Sequence, residues 1–199
     1  MKKFVLILSA ALFLTAGVLQ AKVELPSVLS DNMVLQRESS VALWGKAEPG
    51  KTVTVTVGWS KEKVMAKADS QTGKWLVRVA TPSAGGPYDI TFSDGEKTTL
   101  RNVLIGEVWF CSGQSNMDMP VKGYAGQPAK NGMDYIVGAK PSRPIRVCHI
   151  KQNSSRTVVE ESQGCWKEHT PDVVASTSAA AYFFADALQS VLDVPVGLL

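Results

Sequence analysis

Residues Thr52 to Trp59 read Thr-Val-Thr-Val-Thr-Val-Gly-Trp, which sets Val53, Val55, Val57 and Trp59 on one side and the threonines on the other. Only an extended chain turns alternate side chains to opposite faces. Period two with β-branched residues therefore predicts a half-buried strand. Trp75, Val77 and Val79 repeat the pattern with Lys74 and Arg78 opposite them, and Tyr88, Ile90 and Phe92 repeat it again. Turn-forming clusters separate these runs: Glu48-Pro49-Gly50, Asp69-Ser70-Gln71-Thr72-Gly73, Gly85-Gly86-Pro87 and Ser93-Asp94-Gly95. Short strands at spacings of about 8–12 residues predict an antiparallel all-β sandwich from Lys22 to about Leu104, with Trp75, Val77 and Tyr88 facing its core.

Ahead of this region stand a basic Met1-Lys2-Lys3, an apolar run from Phe4 to Val18, and Leu19-Gln20-Ala21. That is the form of an export signal, so residues 1–21 are expected to be removed and the protein to be exported, periplasmic or extracellular. No later run approaches the roughly 18 apolar residues of a membrane span. Loss of Lys2 and Lys3 brings the formal net charge of +3 close to neutral, which argues against a nucleic-acid partner. The three cysteines, Cys111, Cys148 and Cys165, are too few for a disulfide scaffold. Cys148 with Cys165 is the one pairing to weigh against buried free thiols. With only His149 and His169 present, and no Cys-x-x-Cys or His-x-x-x-His, no metal site is expected.

The pattern changes after Leu104. Val108 to Cys111 is a short apolar run suited to a fully buried strand. Gly113 to Pro144 is rich in glycine and proline and reads as long loops with a helical turn or two. Ile145 to Ile150 reads as another strand, with His149 inside it, and Lys151 to Pro171 is polar. Ala181, Phe184, Ala185, Leu188 and Leu192 fall at helical spacing. They predict an amphipathic helix from Ser178 to Leu192, capped by Ser176 or Thr177 and ended by Asp193 and Pro195. Val196 to Leu199 then begins a buried strand. Strand, helix, strand is the start of a parallel α/β sheet. Two or three strands and one helix do not complete such a layer, so residues 105–199 are expected to be the front part of a larger domain.

Trp109-Phe110-Cys111-Ser112-Gly113-Gln114-Ser115-Asn116-Met117 runs from an apolar strand into glycine, serine and a polar loop. A serine past the carboxyl end of a parallel strand sits where open α/β sheets place reactive groups. Gly113 permits a sharp turn, and the Ser115 N–H is placed to face a developing oxyanion. Met117 departs from the Gly-x-Ser-x-Gly elbow. Taken alone, the segment reads either as a plain turn or as a nucleophile. Trp44, Trp59, Trp75 and Trp109 offer a sugar-stacking surface, but Trp59 and Trp75 share the apolar faces of their strands and are expected in the core. Glu107 is expected at the junction between the two regions.

Several segments together resemble the sialate O-acetylesterase family of the SGNH (GDSL-like) hydrolases. They are Leu29-Ser30-Asp31-Asn32-Met33-Val34-Leu35-Gln36-Arg37, Val41-Ala42-Leu43-Trp44-Gly45 with Pro49-Gly50, Gly73-Lys74-Trp75, and Gly85-Gly86-Pro87-Tyr88. Gly106-Glu107-Val108-Trp109-Phe110-Cys111-Ser112-Gly113-Gln114-Ser115-Asn116-Met117 is the most specific, followed by Ser178 to Phe184 and Val194 to Leu199. The resemblance implies a flavodoxin-like parallel sheet for the second region. It implies Ser115 as nucleophile, with Gly113, Gln114 and Asn116 supporting the loop and the oxyanion. The substrate would be an O-acetylated sugar, typically a sialic acid or sialoglycan, with no metal or organic cofactor.

In such enzymes further oxyanion donors come from later blocks, and the acid and base from an Asp-x-x-His near the C-terminus. The sequence contains no Asp-x-x-His. His169-Thr170-Pro171-Asp172 has those residues in reverse order and reads as a solvated loop, and His149 as a strand residue. The chain alone is therefore expected to be a weak catalyst. The rival reading is a non-catalytic carbohydrate-binding or accessory protein that keeps the sandwich and a hydrolase remnant.

Overall fold

Alternation in the N-terminal half becomes a set of strands whose inward rows meet in one apolar core. The computed structural model describes residues 22–151 and 153–199; the apolar leader read as an export signal lies outside them. The elements are β1 (Val34–Gln36), β2 (Ser40–Lys46), β3 (Thr52–Val57), β4 (Lys63–Lys67), β5 (Lys74–Ala80), β6 (Gly85–Ser93), β7 (Lys97–Trp109), α1 (Ser115–Asp118), α2 (Gly132–Val137), β8 (Ile145–Cys148), β9 (Trp166–Lys167), α3 (Pro171–Ser176), α4 (Ala179–Leu192) and β10 (Val196–Leu198). The larger sheet runs β4-β3-β6-β7-β10-β8-β9, with β1 also on β7, and β2 pairs with β5 in a separate two-stranded sheet.

Val53, Val55 and Val57 are buried on β3, as are Trp75, Val77 and Val79 on β5 and Ile90 and Phe92 on β6. These rows join Leu43 of β2 in one cluster, and the Trp75 and Phe92 rings lie 5.7 Å apart. Each such side chain removed from water contributes about 1.5–3 kcal/mol. Lys74 and Arg78 face solvent, as the alternation requires. Trp59 lies outside the strand, which ends at Val57. The reason is local: Gly58 N–H is taken by Asp89 O, and Trp59 packs edge-on against a half-buried Tyr88. Gly85-Gly86-Pro87, read as a turn, belongs to β6, whose register against β7 shifts between Gly85 and Tyr88.

β7 is 13 residues long and crosses the point where the sequence pattern changes. Its first part pairs antiparallel with β6, through Phe92↔Thr98 and Ile90↔Leu100. Its last part pairs parallel with β10, from Val196↔Glu107 to Leu198↔Trp109, and β10 pairs parallel with β8. β1 lies parallel to Leu104–Gly106. The carboxyl ends of β7, β10 and β8 therefore point to one edge of the sheet. Gly106 is required there, because a β-carbon at 106 would collide with the Pro195 carbonyl that accepts the Glu107 N–H.

α4 covers one side of the parallel strands. Ala181 and Ala185 bury against Ile145, Val196 and Leu198. Its N-cap is Ser178, whose hydroxyl accepts the Ala181 N–H, one residue beyond the expected Thr177. The run Val108–Cys111 is not fully buried: Trp109 is 43% exposed and Phe110 77% exposed. A buried strand needs both faces covered, whereas the Trp109 ring meets Phe184 of α4 edge-on at 4.9 Å and stays 43% exposed.

Candidate active site

β7 delivers the chain to the carboxyl edge of the parallel sheet and holds it there by two backbone bonds. Cys111 N–H donates to Leu199 O at 2.6 Å, and Leu199 N–H donates to Trp109 O at 2.9 Å. Ser112, Gly113 and Gln114 then turn the chain, and Ser115 opens the single-turn helix α1. Met117 and Asp118 donate their N–H groups to Gln114 O at 2.9 and 3.0 Å. The amides of Ser115 and Asn116 precede the first intrahelical donors, so their N–H groups are left for an external acceptor. Ser112, Gly113, Gln114, Ser115 and Asn116 are all exposed.

Met117 fixes this turn to the fold. Its side chain joins the Ile145, Ala181, Ala185, Val196 and Leu198 cluster under α4. It also fills the space above Gly113, where a β-carbon would stand 2.5 Å from Met117 Cγ. Beyond α1 the chain is tied to the start of α4, with Ala179 N–H donating to Met119 O and Val121 N–H to Thr177 O. Tyr124 donates its hydroxyl to Asp118 Oδ2 at 2.6 Å, and that bond pushes the phenol pKa up. In the sequence Met117 stands at the end of the motif segment and as a departure from the Gly-x-Ser-x-Gly elbow, with nothing to mark it as an anchor. Its anchoring role depends on a helix more than sixty residues later.

Behind the turn, Glu107 accepts from Arg37 Nε at 2.7 Å and from Gln36 Nε2 at 3.3 Å, while Gln36 Oε1 takes the Val108 N–H at 2.9 Å. Glu107 thus sits where β1 meets β7, away from the Ser115 turn. Three segments named in the resemblance meet at this point, through Gln36-Arg37, Gly106-Glu107 and Pro195.

The histidines take positions that the sequence did not indicate. His169 is buried, not in a solvated loop. Its Nδ1 faces the backbone of Lys140 at 3.1 Å, and its Nε2 lies 2.9 Å from Tyr182 Oη. Burial holds its pKa below 6.5, against smaller opposing effects of the Lys140 backbone and Asp186. Asp172 lies exposed in the first turn of the short helix α3, with Pro171 at its N-terminus, not in a loop. His149 stands just past β8, exposed, at the same sheet edge as the Ser115 turn. No hydrogen bond joins either histidine to Ser115 among the described residues.

Cys111, Cys148 and Cys165 are free thiols. Burial, aided by Cys165, pushes Cys148 up to about 11, which leaves it protonated and unreactive at neutral pH. No cluster of three metal-ligating side chains occurs among the described residues, and no helix among them is long and apolar enough to cross a membrane. Two cavities, of about 440 and 840 Å³, lie between N-terminal strands and the segment Glu160–Trp166; Ser115 lines neither.

No family model matches the chain. Among curated proteins, the sialate O-acetylesterase of Mus musculus is 32% identical over 187 residues, which is 87% of this chain and 34% of that protein. The sialate O-acetylesterase of Homo sapiens is 30% identical over 190 residues, 87% of this chain and 35% of that protein. A crystal structure of a carbohydrate acetylesterase from Xanthomonas citri superposes with a TM-score of 0.81 at 31% identity, covering 89% of this chain and 39% of that one. The chain thus spans about a third of the length of the curated relatives it matches. The resemblance read from the motif segments is borne out by these relatives.

Proposed function

We propose that this chain, a relative of the sialate O-acetylesterases over 87% of its length, is an exported carbohydrate O-acetylesterase with Ser115 as nucleophile. The observation that carries the reading is the exposed Ser115 turn at the carboxyl edge of β7, locked by Met117 into the core beneath α4. Residues 22–104 would form a β-sandwich unit and residues 105–199 the start of an SGNH-type hydrolase unit. O-acetylated sialic acids are the substrate class that the named relatives suggest.

Ser115 Oγ attacks the acetyl carbonyl as a general base removes its proton. The carbonyl oxygen becomes an oxyanion, and the N–H groups of Ser115 and Asn116 are the donors this chain offers it. Collapse breaks the ester bond. The sugar oxygen leaves with the proton carried by the base, and the acetyl group stays on Ser115. Water, deprotonated by the same base, then attacks the acetyl-serine and releases acetate. The chain supplies the nucleophile and the first oxyanion donors. It holds no Asp-x-x-His, and a serine hydroxyl without a base is a weak nucleophile.

The test is chemical rescue. Acetate release from a 9-O-acetylated sialic acid is measured for the full chain and for Ser115→Ala, with and without added imidazole. The reading expects little turnover without imidazole and imidazole-dependent release that only the Ser115 chain shows. Equal release by the two proteins at every imidazole concentration would overturn it.

A further inference from the structure

The cavity of about 840 Å³ lies beside the outer face of the β2–β5 pair. Its apolar part is built from Trp44 and Leu76, directly opposed across the two strands. Trp44 is 38% exposed and Leu76 57% exposed, so an indole and an isobutyl group stand side by side in water. No aromatic neighbour covers the Trp44 ring among the described residues. Trp75 borders the cavity from the core side, 3% exposed and with its indole packed near Phe92.

The polar part is nearly charge-balanced. Lys46, Lys67 and Lys74 face Glu24, Asp69, Glu160 and Glu161. Glu160 bridges two of the lysines, at 2.6 Å from Lys74 Nζ and 4.0 Å from Lys46 Nζ, and the Lys74 hydrogen bond lowers its pKa. Ammonium groups donate and carboxylates accept, so the wall alternates both capacities. That suits hydroxyl groups, which do both, and gives no net attraction for a strongly charged ligand. The volume falls within the range of about 300–1,000 Å³ typical of small-molecule sites.

We propose that this cleft is a glycan-binding subsite, separate from the Ser115 turn, which takes a neutral oligosaccharide segment. A pyranose ring lies on the Trp44 indole, and its hydroxyls reach the lysine–glutamate wall. The choice of a sugar as occupant rests on the esterase reading; the site itself rests on the cleft. Bound there, the substrate's neutral glycan is held independently of the acetyl group being removed.

The experiment is a titration of the full chain with cellotriose, xylotriose and 3′-sialyllactose, following the indole N–H resonances of Trp44 and Trp75. At least one neutral trisaccharide is expected to shift both saturably, with a Kd of about 0.1–1 mM. Trp44→Ala is expected to weaken that binding about tenfold, the size of an aromatic contact, while the rest of the spectrum is unchanged. Ser115→Ala is expected to leave the titration unaltered. No saturable shift from either neutral trisaccharide, tighter binding of 3′-sialyllactose than of both, or undiminished binding in Trp44→Ala would overturn the proposal. A chain that binds these sugars but fails the imidazole rescue removes the esterase reading and leaves the cleft standing.

Discussion

Met117 occupies the space that a side chain on Gly113 would need, with its Cγ 2.5 Å from the position of a β-carbon there. The two residues bracket Ser115, so the serine is held by a contact that only glycine permits. Gly113→Ala must either displace Met117 from the core under α4 or open the turn. The expected cost is about 1–3 kcal/mol, as for other overpacked sites, read as a fall in the urea midpoint. Unchanged stability with an unchanged Ser115 environment would show that the turn is held by something else.

A second prediction concerns the polar link that joins β8 to β7 through Glu168. Arg146 on β8 is 5% exposed; its Nη2 lies 3.0 Å from Glu168 Oε1, which also accepts from Asn102 Nδ2 at 3.0 Å. Asn102 in turn donates to Asn32 at 2.7 Å. Burial pushes the guanidinium pKa down and Glu168 pulls it back up. Glu168→Ala strands a buried cation, but Glu168 itself is partly in water. The expected loss is therefore about 1–3 kcal/mol, below the figure for a fully buried pair. Arg146→Met, which removes the charge along with its need, should cost less than Glu168→Ala in the same urea measurement.

The strand faces were legible because their cause is local. Val53, Val55 and Val57, or Trp75, Val77 and Val79, are buried because an extended backbone and one core leave no other choice. The body of α4 followed equally from its apolar spacing. The misreadings depend on partners far away in sequence. β7 continues past Leu104 because β10 arrives from Val196 to pair with it. His169 is buried because Tyr182 reaches it from a helix that had no visible tie to the segment before it. Trp109 and Phe110 look like core residues in sequence, yet nothing in composition tells whether a second layer covers them. The Ser115 turn was legible as a motif; its anchor in Met117 was not, since that contact forms only once α4 is in place.

His169 gives the protein an acid-sensitive element. Its folded pKa is held below 6.5, chiefly by burial, so the unfolded chain binds a proton more readily than the native one. The stabilisation is fully present at neutral pH and is lost as pH falls below about 6.5 towards the folded pKa, with a slope of at most about 1.4 kcal/mol per pH unit. His169→Gln should lower stability at pH 7 and flatten this slope below pH 6.5. An identical slope in the variant would assign the acid sensitivity to other groups.

Close packing at the strand junction yields a further prediction. Gly106→Ala places a methyl group against the Pro195 carbonyl and forces β10 away from β7. Amide exchange is expected to rise at Glu107 and Leu199, whose N–H groups are held by Pro195 O and Trp109 O. Protection at those two amides equal to that of the parent chain would contradict the assigned contact.

The proposed nucleophile is Ser115, and where an acetyl group lands on the chain tests it. The full chain is mixed with an activated aryl acetate, quenched in acid, digested, and mapped by mass spectrometry. An acetyl ester on Ser115 is expected, formed faster when imidazole is added, with no acetylated peptide from that segment in Ser115→Ala. Acetylation confined to other residues, or a Ser115 that stays unmodified while the chain releases acetate, would contradict it.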